Sequence, residues 1–61
     1  MNDLMTTNEV AERLRASEAT VRYWRHEGTG PRSAKIGRRV VYRRADVEQW
    51  LEDQFGGKRS A

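Results

Sequence analysis

Residues 6–28 read TTNEVAERLRASEATVRYWRHEG, and two helix starts lie within them. Thr6 stands three residues before Glu9, so its hydroxyl can accept from the Glu9 N–H while the Glu9 carboxylate accepts from the Thr6 N–H, a reciprocal capping box. Val10, Ala11 and Leu14 then share one helical face, with Leu4 or Met5 placed to pack over the entry. The helix should end near Arg15. Ser17 is the next cap, and only Arg15 and Ala16 separate it from Leu14, which leaves room for a tight turn between two crossed helices. The second helix should run from about Glu18 to Glu27, burying Val21 and Trp24 and stopping where Gly28 and Gly30-Pro31 interrupt the chain. Its remaining face, with the cap, comprises Ser17, Glu18, Ala19, Thr20, Arg22, Tyr23, Arg25 and His26, small residues in the first turn and mainly long polar ones after it. A helix of this kind can approach the floor of a DNA major groove and reach base edges and phosphates.

Downstream, Ala34-Lys35-Ile36 and Val40-Val41-Tyr42 are short strand-like runs around Gly37-Arg38-Arg39, which predicts a β-hairpin with a cationic tip. Arg38 and Arg39 at such a tip, with Arg32, Lys35 and Arg43 along its flanks, suit phosphates or a narrow minor groove. A charged tip also keeps a hairpin edge from aggregating. The last helix should span roughly Ala45 to Phe55, with Asp46 at its positive end and Gly56-Gly57 as its stop. Val47, Trp50, Leu51 and Phe55 mark its inner stripe, so Trp24 and Trp50 read as core residues. Glu48, Glu52 and Asp53 mark an outer face that phosphate would repel.

The charges are sorted along the chain. Residues 22–44 carry Arg22, Arg25, Arg32, Lys35, Arg38, Arg39, Arg43 and Arg44 against Glu27 alone, whereas the whole chain nets only +3. Both flanking segments are therefore net acidic, and it is this sorting that creates a field able to attract a polyanion. Seven of those eight cations are arginine, whose planar fork suits phosphate and guanine edges.

Two stretches carry a family resemblance. MTTNEVAERLRASEATVRYWRHEG (residues 5–28) resembles the helix-turn-helix of MerR-like excisionases, small phage- and plasmid-encoded proteins, through Thr6, Glu9, Val10, Ala11, Leu14, Ser17, Thr20 and Val21. KIGRRVVYRRADVEQWL (residues 35–51) resembles the wing and closing helix of the same family through Lys35, Ile36, Gly37, Arg38, Arg39, Asp46, Val47, Trp50 and Leu51. One position departs from the pattern: Arg15 stands where these proteins commonly place a glycine, so the turn should use a left-handed non-glycine residue or a shifted geometry. The resemblance implies a small α+β fold of the winged helix-turn-helix class, with three helices and a two-stranded β-hairpin wing. It also implies an architectural role: binding adjacent DNA sites cooperatively beside further copies of the chain, bending the duplex and assisting an integrase in prophage excision.

With 61 residues there is room for one small domain, expected over residues 1–55 with a flexible basic tail at 56–61. The absence of cysteine and the single His26 leave no ligand set for a structural zinc site, and no cofactor is expected. No apolar run reaches the roughly 20 residues of a membrane span, and the opening, with Asp3 and no basic leader, does not resemble a signal peptide. The expectation is a cytoplasmic, nucleoid-associated protein of a bacterial host. Asp46, Glu48 and Glu52 lack a nucleophile or a His partner, so catalysis is not expected. Two other readings remain open, a compact transcriptional regulator using the same surface and an adaptor whose basic face binds an acidic protein.

Overall fold

The computed structural model describes residues 3–56, so the expected basic tail lies, apart from Gly56, outside the described residues. Along the chain the elements are β1 (Leu4–Thr6), α1 (Thr7–Leu14), α2 (Glu18–Glu27), β2 (Ser33–Ile36), β3 (Arg39–Arg43) and α3 (Arg44–Gln54). No helix among the described residues is long and apolar enough to cross a membrane.

The two helix starts form as the cap chemistry dictates. Thr6 Oγ1 accepts from the Glu9 N–H at 3.1 Å and the Thr6 N–H donates to Glu9 Oε1 at 2.8 Å, closing the box at α1. At α2, Ser17 Oγ accepts from the Thr20 N–H at 3.1 Å. Between them Arg15 takes the left-handed conformation, with φ 58° and ψ 43°. The Ala16 N–H reaches the Ala11 carbonyl at 2.9 Å and the Arg15 N–H that of Glu12 at 3.2 Å, which satisfies the last carbonyls of α1 in a Schellman arrangement. An arginine in this conformation costs about 1 kcal/mol more than a glycine would, and it is held because Ala16, the next residue, packs against the core.

The sheet departs from expectation. It has three antiparallel strands in the order β1-β3-β2, because the segment before α1 pairs with β3 instead of merely packing over the helix entry. Three residues are too few to show alternation in sequence; β1 exists because Met5 sits opposite Tyr42 and is 3% exposed, whereas Leu4 faces outward at 41%. In the hairpin, Ile36 pairs with Arg39, leaving Gly37-Arg38 as a two-residue turn. Arg39 thus belongs to the strand and not to the tip. Gly37 alone has a positive φ there, 64°, which places glycine at the first central position as a II′ turn demands.

Met5, Val10, Ala11, Val21, Tyr42 and Val47 form the buried core, and Leu14, Ala16, Trp24 and Val40 pack against it. Every element except β2 supplies at least one core side chain. α3 follows β3 without a linker, starting one residue before its expected position, and the Arg44 N–H donates to the Asp3 carbonyl at 2.7 Å. Two expectations for α3 are corrected. Phe55 is 78% exposed, because the helix ends at Gln54 and Phe55 leaves the inner stripe. Glu48 is not a free outer acid: it accepts two hydrogen bonds from Arg13, Nε to Oε2 and Nη2 to Oε1, each 2.6 Å, which ties α3 to α1. The Arg13 guanidinium holds the Glu48 carboxyl below the usual carboxylate range, and Glu48 raises the pKa of Arg13 in turn.

Tyr42 is the largest fully buried side chain, and its hydroxyl has no hydrogen-bond partner among the described residues. Burial pushes its pKa up, while the charge of Arg25 pulls it partway back. An unsatisfied buried hydroxyl costs about 1–3 kcal/mol, so Tyr42→Phe should leave stability unchanged or raise it by about 1 kcal/mol, roughly 5 °C in a domain of this size. A thermal melt that falls instead would show that the hydroxyl is satisfied. For the ion pair, a carboxyl with a depressed native pKa adds stability above its unfolded pKa and loses it as pH falls through the native one. Both side chains are substantially exposed, so this contribution is small. The clearer readout is an NMR titration, in which the Glu48 midpoint should move upward in Arg13→Ala.

Candidate nucleic-acid interface

α2 presents its expected face to solvent. Val21 and Trp24 turn inward, while Ala19, Arg22, Tyr23, Arg25 and His26 are exposed, Tyr23 at 62%. The first turn is more constrained than a polar helix surface requires. Ser17 Oγ, besides capping the helix, donates to Thr20 Oγ1 at 2.9 Å. Glu18 uses both carboxylate oxygens: Oε2 accepts from Asn8 Nδ2 at 2.6 Å, and Oε1 accepts from Arg22 Nη1 at 3.3 Å. Arg22 is thereby aligned along the helix one turn beyond the acid. Asn8 was absent from the sequence-derived set, because its partner lies ten residues on and only the tight turn at Arg15-Ala16 brings them together.

A concavity lies near each end of α2. Toward the start of α2, Arg39, Val40 and Val41 share a shallow groove with Thr6, Thr7, Asn8 and Glu18. Toward its end, Arg32 and Ser33 share a cleft with Trp24, Arg25, Gly28, Gly30 and Pro31. Arg39, on the sheet face of Val41 and Arg43 by register, thus borders the same groove as Glu18, and Arg32, in the connector before β2, borders the same cleft as Arg25. The other wing cations are placed differently. Arg38 occupies the turn itself. Lys35 pairs with Val40, on the helix-facing register of the sheet. Arg43 pairs with Leu4 and lines a hollow on the opposite sheet face with Arg32, Ala34, Ile36, Val41 and Asp46. It does not join the groove beside Glu18.

The connection between α2 and the hairpin, read from sequence as the stop at Gly28 and Gly30-Pro31, is held by the two tryptophans read as core. Gly28 caps α2 in the left-handed conformation at φ 77°, and the Thr29 N–H returns to the Trp24 carbonyl at 2.9 Å. Trp50 Nε1 donates to the Thr29 carbonyl at 3.0 Å, and the Trp24 and Trp50 ring centroids lie 5.2 Å apart at an interplanar angle of 41°. A Cβ added at Gly30 would stand 2.8 Å from the Trp24 Cβ, so the backbone lies directly on the indole's stem and only glycine fits. Spacing alone identified both tryptophans as core; the hydrogen bond to a loop carbonyl depends on where α3 returns, which spacing does not contain.

Chemically the arrangement is a binding surface. No group of three or more His, Cys, Asp or Glu positioned to hold a metal occurs among the described residues. The cations are exposed, and one of them, Arg22, is aligned by a carboxylate, on a capped helix next to a short ribbon. A capped helix with an exposed polar face is what helix-turn-helix proteins present to duplex DNA.

Comparison with curated proteins gives no match. Residues 4–54 match the model of a family described as helix-turn-helix domain, a span that runs from the first residue of β1 to the last of α3. With most of the chain matched and the capped helices and tight turn in place, the chain belongs to this helix-turn-helix family, which includes small excisionase-like proteins that bind DNA sequence-specifically.

Proposed function

We propose that the protein is a DNA-bending architectural factor of the excisionase type, which occupies adjacent sites beside further copies of itself and assists an integrase in excising a prophage. It acts by binding alone, without catalysis, in the cytoplasm of a bacterial host. α2 enters the major groove, where Arg22 and Tyr23 reach base edges, and Glu18 can accept from a cytosine amine. Arg38 and Arg39 contact phosphates or the adjacent minor groove, with Arg25 and Arg32 on the flanking backbone. The observation that carries the reading is the groove shared by Glu18 at the start of α2 and Arg39 on the wing, since a duplex can engage both elements only if they open onto one side. A chain whose described residues form a single helix-turn-helix unit needs no effector domain to work by shaping DNA. The same surface also serves a promoter-binding regulator, and the two roles part at the site recognised.

Gel-shift titration on DNA flanking the encoding gene provides the test. Arg22→Ala should lower affinity for the preferred site by about 1–3 kcal/mol while leaving random DNA nearly unaffected. Arg38→Ala with Arg39→Ala should weaken binding to every sequence and flatten the salt slope by about 1–2 units. An unchanged slope would remove the wing from the interface. On DNA with several sites, the array predicts that intermediate complexes are scarce relative to independent filling. Binding that is confined to one promoter site, with no effect on an integrase reaction, favours the regulator.

A further inference from the structure

We propose that the Trp50 indole N–H is a latch that sets the orientation of the wing relative to α2, so that the wing contributes to DNA binding only while this hydrogen bond is made. The proposal rests on the DNA-binding reading above. Five residues, 28–32, connect the last residue of α2 to the first of β2. Both backbone polar groups of Thr29 are held: its N–H by the Trp24 carbonyl at 2.9 Å and its carbonyl by Trp50 Nε1 at 3.0 Å. Gly30 lies against Trp24, and Pro31 is buried.

The origin of Trp50 gives the contact its consequence. α3 continues directly from β3, so Trp50 belongs to the same continuous backbone as the wing's inner strand. Its bond to Thr29 closes a ring that runs through the connector, β2, β3 and α3 and returns to the end of α2. With the ring closed, the connector has one course from α2 into β2, and the hairpin that follows is held so that Arg39 borders the same groove as Glu18. With it open, the connector carbonyl turns to water and the hairpin's range of orientations broadens. Fewer molecules then present helix and wing together, and binding has to supply the ordering that the fold no longer does. Trp50 is thus a positioning residue, and it carries no charge that meets DNA.

A double-mutant cycle separates this role from simple stabilisation. Trp50→Phe keeps an aromatic ring against Trp24 and removes the donor. Folding is checked by circular dichroism, and affinity and salt slope are measured with and without Arg38→Ala/Arg39→Ala. The expected result is a folded Trp50→Phe protein whose affinity and salt slope approach those of the wing variant, and in which the wing substitutions cost nearly nothing further. If the wing substitutions cost the same factor in both backgrounds, the latch is overturned while DNA binding stands. If the wild-type protein shows no salt-dependent binding to duplex DNA, the DNA reading falls and the latch's role falls with it. Should Trp50→Phe fail to fold, benzothienylalanine at position 50, which replaces only the indole N–H by sulfur, takes its place in the same cycle and is read by the same two results.

Discussion

The burial of Tyr42 in the middle strand is the constraint on which the other elements depend. Tyr42 is opposite Met5 on one side and Ser33 on the other, so it stands where both edge strands meet β3. At 1% exposure it fills the space between the sheet and the helices, a large aromatic volume beside the five other buried hydrophobic residues among those described. The cost is a hydroxyl cut off from water without a partner. The aromatic ring offsets that cost by filling the space where β1, the hairpin and the start of α3 meet.

From that centre the structure assigns separate tasks to its helices. α1 packs Val10 and Ala11 inward and is tied to α3 through Arg13 and Glu48. α3 closes the core with Val47 and reaches the connector with Trp50. α2 gives Val21 to the core and turns most of its surface outward. The segments rich in acid are those that brace the fold, and the segment rich in arginine carries the positive field. Glu18 is the exception: it lies within the cationic face, restrained by Asn8 and Arg22. A carboxylate there lowers the local positive potential and orders an arginine.

Much of this was legible in the residues. The capping box at Thr6 and Glu9, the cap at Ser17, the stop at Gly28 and the left-handed Arg15 are local features, because each depends on atoms within a few residues of one another. The exposed face of α2 follows from helical spacing and the caps that fix its start. β1 was not legible, since three residues have no periodicity and their strand character comes from a partner some 37 residues away. Nor was the strand position of Arg39, because moving a hairpin turn by one residue changes register without changing composition. Phe55 was misplaced by a helix end one residue earlier than its spacing suggested.

The sequence by itself therefore determined where the helices start and stop, which of their faces are apolar, and where positive charge gathers, since propensity, capping and charge act over short distances along the chain. Tertiary structure alone decided that a third strand joins the sheet, that Glu48 meets Arg13, that Asn8 holds Glu18, and that Trp50 reaches the carbonyl of Thr29. Those contacts join residues separated by 10 to 39 positions, and whether two such groups meet depends on how the elements pack around Tyr42, information that no local pattern carries.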